Sequence, residues 1–439
     1  MPRVLLITYA YPPRQVTGSI RPAGLAKYLP EFGWNVTTLT PELPPGPRPP
    51  GEVIETGYQD VMTNWKSRLR MDPKRTVHEQ FGVPLSTGPD SSKLRSKVIE
   101  AAGLVVTYPD RYQGWVPYAD QSLSEFQGEV DAIISTSPPI SCHIIGAHAR
   151  RLFGCPWIAD FRDLWAEQNL WGTQRFLRPL YQHSERKMLK LADALVTVSV
   201  PWAKRLRDAY PAKPVYSITN GFDPADFPSG PGGLTKYFSL TYTGILYEGK
   251  RDPTVLFGTL RDLIKEGAIS REDVRVRFYG RLEPWLAALV DRCQLQGVVE
   301  LHGVVRREEA LARQTESQLL LLLGWSDPRE TGQHTGKLFE YFGAARPILA
   351  VGGVRGVLSD TLAETRTGIH ALDREQLRRF LLTAYREYKQ TGCVSYQPDQ
   401  RAVNQYTHRR MAARFAEVLE LTTGQALLAG SHPSAVPTP

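Results

Sequence analysis

Cysteine is scarce in this sequence: Cys142, Cys155, Cys293 and Cys393 are the only four among 439 residues. None sits in a C-x-x-C pair or at zinc-ligand spacing, which argues against a disulfide framework and a zinc site. Isolated thiols in a chain of this length fit a reducing compartment. Long apolar runs are missing too. The stretch Met1–Tyr9 is too short for a signal peptide and meets Pro12 and Pro13 at once. Nothing approaches the roughly 18–20 apolar residues of a spanning helix, and the run Leu319–Leu323 has the length of a strand. The sequence therefore predicts a cytoplasmic protein, at most peripheral to the inner face of a membrane.

Other absences narrow the chemistry. The loop after the first apolar segment reads Ala10-Tyr-Pro-Pro-Arg-Gln-Val-Thr-Gly-Ser19, without G-x-G-x-x-G, which argues against a nicotinamide cofactor. The nine His are scattered, His143 and His148 are five apart, and no Asp-x-Asp triplet occurs. No metal or cofactor is expected. The positive excess is mild: 53 Lys+Arg against 45 Asp+Glu, a net charge of +8. That suits phosphate-bearing small molecules or an anionic membrane surface at least as well as nucleic acid, whose binders cluster more charge. The densest cluster lies between Trp65 and Lys97, with eight Lys/Arg against three acids. It is a candidate contact for an anionic membrane.

What is present is a β/α rhythm. Val4–Tyr9 predicts a strand, Ile20–Leu29 a helix and Trp34–Leu39 a second strand. Residues 41–51 are Pro-rich and predict a surface loop, and helical patches are expected at 61–70 and 91–104. Strands follow at Ala132–Ser135, Trp157–Ala159, Ala194–Val198 and Val215–Thr219, with helices at Ile140–Phe153, Phe176–Leu191 and Pro201–Ala209. The Gly-, Pro- and Asp-rich stretch 220–233 reads as a linker.

A second series begins behind it. Strands are expected at Phe238–Tyr242, Val274–Phe278, Val299–Leu301, Leu319–Leu323 and Ile348–Ala350. Helices are expected at Pro253–Lys265, Glu283–Gln294, Glu308–Gln314, Lys337–Ala344 and Asp373–Thr391. Residues 400–421 are helical, and 422–439 read as a disordered tail. The fold class is α/β: two doubly wound parallel-sheet domains, 1–219 and 234–399. Ligands of such sheets bind at the carboxyl ends of the strands, so the chemistry is sought in the loops there.

Four loops stand out. Gly18–Ser19 precede a helix and can present amides to an anion. Asp160-Phe-Arg-Asp163 follows a strand: Asp160 is expected to orient Arg162, leaving Asp163 to accept hydrogen bonds from a hydroxylated ligand. A helix cap with a local ion pair is the plain alternative. Gly244 permits close backbone approach, and Lys250 and Arg251 bring charge ahead of a helix, which suits a diphosphate. Thr335 and Gly336 open another helix, and their amides with Lys337 make an anion site. Glu340, about a turn further on, can accept hydrogen bonds from two vicinal hydroxyls, as a ribose offers.

With these stretches the chain resembles a bacterial GT-B glycosyltransferase of the large, mostly retaining family that uses nucleotide-sugar donors. The similarity lies in LLITYAYPP, GSIRPAGLAKYLPEFGWNVTTLT, DAIISTSPPIS, PWIADFRDLW, ADALVTVSVPWAKRL, ITNGFD, YTGILYEGKRDP and TGKLFEYFGAARPILA, across residues 4–350. The resemblance implies an N-terminal acceptor domain (1–219), a C-terminal donor domain (234–399) and a last helix (400–421) that returns to the first domain.

By position, Glu340 resembles the donor-ribose glutamate, Lys250 or Arg251 the phosphate-binding cation, and Gly18 the loop near the transferred sugar. Gly332 stands where the family has another glutamate, and Ile245 where it has an arginine. Asp163 and Lys250 are the expected catalytic residues. Gly18, Gly244, Lys250, Arg251, Thr335, Gly336, Lys337 and Glu340 are expected on the donor, and Asp160, Arg162 and Asp163 on the acceptor. The implied activity is metal-independent transfer from a nucleotide sugar to a glycan, lipid-linked or small-molecule acceptor. An epimerase or hydrolase of the same fold, or a non-catalytic nucleotide-sugar binder, stays open.

Overall fold

Val4, Leu5, Leu6 and Ile7 are all fully buried. A strand without a solvent face belongs in the middle of a parallel sheet covered on both sides. The computed structural model puts it there. It describes residues 1–14, 16–61, 63, 107–167, 177–228, 233–325, 327, 331–332 and 334–425. The chain forms two units. One comprises Met1–Thr197, Leu206–Tyr216 and Phe415–Pro439; the other comprises Val198–Arg205 and Ser217–Arg414.

The sheet of the first unit has the strands β1 (Arg3–Ile7), β2 (Asn35–Pro41), β3 (Glu52–Thr56), β4 (Ala132–Ser137), β5 (Trp157–Phe161), β6 (Ala194–Thr197) and β7 (Val215–Ser217). Their order is β3-β2-β1-β4-β5-β6-β7. β1 pairs in parallel with β2 (Val4 opposite Val36) and with β4 (Val4 opposite Ala132). The order reverses between β1 and β4, which opens a crevice at their carboxyl ends. The helices are α1 (Ile20–Tyr28), α2 (Val116–Glu125), α3 (Ser141–Phe153), α4 (Arg178–Leu189) and α5 (Val200–Ala209), the last beginning among residues of the second unit. Strand β3 and helix α2 go beyond the sequence expectation.

The second sheet runs β10-β9-β8-β11-β12-β13, with β8 (Phe238–Thr243), β9 (Val274–Tyr279), β10 (Val299–Gly303), β11 (Leu319–Leu323), β12 (Ile348–Val351) and β13 (Gly368–Ala371). Its order reverses between β8 and β11. The five leucines of β11 alternate between two cores. Leu319, Leu321 and Leu323 join one cluster, Leu320 and Leu322 the other. Each such burial contributes about 1.5–3 kcal/mol, which fixes this strand at the centre.

The helices are α6 (Thr254–Lys265), α7 (Pro284–Arg292), α8 (Arg307–Thr315), α9 (Gly336–Ala344), α10 (Val357–Thr365), α11 (Arg374–Thr391), α12 (Gln400–Asn404) and α13 (His408–Thr423). The single helix expected over 400–421 is thus two. The segment expected as a linker begins with described residues of the second unit, including a short turn at Pro224–Asp226. The helical patches at 61–70 and 91–104 lie outside the described residues, apart from Val61 and Thr63. So do the basic cluster at 65–97 and the tail from 426 onward.

Candidate active site

In the second unit, helix α9 sets the geometry. Leu338, Phe339, Tyr341 and Phe342 are buried, which leaves Lys337 and Glu340, three residues apart, on the other face. The Tyr341 hydroxyl donates to the Leu321 carbonyl (3.1 Å) and accepts from the Thr243 amide (3.3 Å), tying α9 to the ends of β8 and β11. At the helix start, Thr335 is extended and its side chain makes no capping hydrogen bond. The Leu338 amide turns back to the Thr335 carbonyl (3.1 Å), and the positive end of the α9 dipole lies at Thr335 and Gly336, where it favours an anion.

The expected donor cations gather here. Lys337 lies over the Tyr242 ring, its ammonium 5.1 Å from the centroid. It also packs on Gly244, where a Cβ would come within 2.5 Å of Lys337 Cε. Burial, and then the nearby charge of Arg251, push the Lys337 amine down to about 7, against the pull of Glu340. Lys250 sits over Trp325 at 4.7 Å. A small open cleft lies beside these elements, lined among others by Arg251, Gly324, Trp325, Thr335, Gly356 and His370. It lies at the carboxyl ends of β11, β12 and β13, where a doubly wound sheet binds its ligand.

Glu340 has neighbours that the sequence did not announce. Its Oε2 faces Gln314 Nε2 at 3.4 Å, and its Oε1 faces Arg307 Nε at 3.6 Å. Arg307 is anchored through Nη2 to Asp226 Oδ2 (2.9 Å), and Gln314 donates to Thr243 Oγ1 (2.9 Å). Trp325, Arg307, Gln314 and His370 were all missed. For Trp325 a signal existed, because it follows a strand end. Gly332 is packed beneath Trp202: a Cβ there would lie 2.5 Å from Trp202 Cδ1, so the position has no room for a side chain.

The first unit brings Gly18 and Arg162 together. Arg162 donates from Nη1 to the Gly18 carbonyl (2.5 Å), from Nη2 to Pro138 (2.7 Å) and from Nε to Ser137 (3.1 Å). It staples the loops that follow β1, β4 and β5. A Cβ on Gly18 would come within 3.1 Å of Arg162 Nη1. Asp163 is half-buried, and its charge acts on Arg162.

Asp160 has a second partner that the sequence reading did not foresee. It is fully buried and accepts from Arg21 Nε (2.9 Å), Arg21 Nη2 (2.8 Å) and Thr136 Oγ1 (2.8 Å). The Arg162 guanidinium donates to carbonyls, while the Asp160 charge acts on it through space, more strongly than that of Asp163; Asp160 spends its hydrogen bonds on Arg21 and Thr136 and so also anchors α1. Also unforeseen is a group of half-buried rings: Tyr9 packs on Tyr112 (4.2 Å) and on Tyr58 (5.8 Å).

Among the described residues, no group of three His, Cys, Asp or Glu side chains could hold a metal ion, and no helix is long and apolar enough to cross a membrane.

Residues 19–221 match the model of the glycosyl transferase 4-like domain. Among solved structures, the chain is similar to sucrose-phosphate synthase from Thermosynechococcus elongatus, at 13% identity and a TM-score of 0.63, over 97% of this chain and 100% of that one. It is similar to HepE from Anabaena, in complex with UDP and glucose, at 14% identity and a TM-score of 0.58, over 96% and 100%. A third likeness is to the N-terminal domain of trehalose-6-phosphate phosphatase from Candida albicans, at 11% identity and a TM-score of 0.60, over 96% and 97%. At these identities the likeness is one of fold. A comparison with curated proteins finds no match.

Proposed function

We propose that this chain, a glycosyltransferase of the 4-like family with the two-sheet GT-B fold, moves a sugar from a nucleoside-diphosphate sugar to a hydroxylated acceptor. The observation that carries this reading is the convergence of Lys337 and Arg251 on the start of α9, with Lys250 over Trp325 and Glu340 one turn away. The HepE structure with UDP and glucose supports it by analogy of fold.

On this reading the diphosphate lies against the Thr335–Gly336 amides, and the ribose hydroxyls donate to Glu340. As the bond to the sugar breaks, negative charge grows on the diphosphate. Lys250, Arg251 and Lys337 stabilise it where a metal would otherwise serve, so the reaction needs no metal. Lys337 takes over the charge that the family places at the position of Ile245. Asp163 accepts a hydrogen bond from the acceptor hydroxyl, and Arg162 shapes the loop that carries it. Resemblance to a mostly retaining family supports retention at the transferred sugar. The acceptor is a glycan, a lipid-linked sugar or a small hydroxylated molecule.

The test is incubation of the full chain with UDP-, GDP- and ADP-sugars, with and without candidate acceptors. Nucleotide release that requires an acceptor supports transfer. Release without one, or a changed sugar with no release, contradicts it.

A further inference from the structure

We infer that Gln314 and Arg307 are positioning residues that fix the Glu340 carboxylate from its buried side and so make the site select ribonucleotides over 2′-deoxyribonucleotides. The inference rests on the donor-site reading above and adds the basis of its sugar specificity.

A glutamate on a helix face has several rotatable bonds, and a carboxylate that must meet two vicinal hydroxyls at once has to be held in place beforehand. Two groups do this. Gln314 is fully buried, and its Nε2 divides its hydrogens between Thr243 Oγ1 and Glu340 Oε2. The amide cannot reverse without putting its carbonyl oxygen against the carboxylate. Arg307 is fixed by Asp226, and its Nε is also buried, facing Glu340 Oε1.

Both donors thus approach from the protein side, while the Glu340 side chain keeps 20% of its surface exposed. Their distances of 3.4 and 3.6 Å are longer than ordinary hydrogen bonds, so neither saturates the oxygen it faces. An ionised carboxylate has about four acceptor positions. The outward ones are left for a ligand that donates twice.

Two buried polar atoms here have no hydrogen-bond partner among the described residues, Arg307 Nε and Gln314 Oε1. Such atoms are uncommon in a settled core. Their clustering around one partly exposed carboxylate marks an arrangement built for a ligand rather than for stability. A site that prearranges acceptors for hydroxyls rejects the analogue that lacks one, because an acceptor is then left unpaired.

The experiment uses whichever of UDP, GDP and ADP the full-length wild type binds most tightly, and the 2′-deoxy form of that nucleotide. Isothermal titration gives both affinities for wild type, Gln314→Leu and Arg307→Met, with thermal unfolding as the check on folding. Wild type is expected to prefer the ribonucleotide by at least about tenfold. Each variant is expected to lose most of that preference by weakening the ribonucleotide alone. A structural role would weaken both nucleotides equally and keep the ratio. An unchanged ratio in folded variants, or a wild type without preference, overturns this inference and leaves the donor-site reading standing. A wild type that binds none of the three overturns both.

Discussion

The Lys337 ammonium packs on Gly244 so closely that a Cβ there would lie 2.8 Å from Nζ. Gly244 also holds a φ of +116°, which a side chain rarely adopts. The glycine that follows β8 therefore makes room for the cation in the first turn of α9. Replacing Gly244 by Ala displaces the ammonium and is expected to weaken nucleoside diphosphate binding at least about tenfold, with backbone strain of about 1–3 kcal/mol. Titration of the nucleotide, beside a thermal melt, separates the two effects.

Binding should depend on pH in a definite direction. Burial lowers the Lys337 amine to about 7, so the ammonium dominates below that value and the neutral amine above it. An anionic ligand favours the ammonium, and binding at pH 8 must then take up a proton. Affinity is expected to fall from pH 7 to pH 9, by at most about tenfold per pH unit for one linked proton. Lys337→Arg should flatten the profile, since arginine stays charged. Calorimetry at pH 8 in buffers of different ionisation enthalpy counts the proton directly.

The ion pair of Arg21 and Asp160 calls for a different experiment. Both side chains are buried, at 2% and 0% exposure. Asp160→Ala removes the carboxylate that pairs with the buried Arg21 guanidinium and is expected to cost about 3–5 kcal/mol in denaturant unfolding. Arg21→Met with Asp160→Ala should cost less than the two single changes added together. A loss of turnover with unchanged unfolding would instead make Asp160 a ligand contact.

Much of this was readable because the central strands are apolar on both faces. Leu319–Leu323 and Val4–Ile7 announce themselves without any partner. The edge strands do not. β3 (Glu52–Thr56) has only Thr56 buried and lies beside a Pro-rich stretch, and β13 has only four residues. The α9 face was readable too, since the positions of Lys337 and Glu340 follow from helical spacing alone. What surrounds Glu340 was not, because Gln314 is 26 residues away in sequence. The same limit explains Asp160. Its hydrogen-bonding partner Arg21 is 139 residues away, whereas spacing alone points only to the nearby Arg162.

The proposal stands or falls on whether the cleft beside Arg251 and the start of α9 binds a nucleoside diphosphate. Calorimetric titration of UDP, GDP and ADP into the full-length protein, and into Lys337→Ala and Arg251→Ala, tests it most directly. Wild type is expected to bind at least one of the three, and each variant to bind it at least about tenfold more weakly, because a charge-assisted contact is lost. Wild type that binds none, or variants that bind as tightly as wild type, would contradict it.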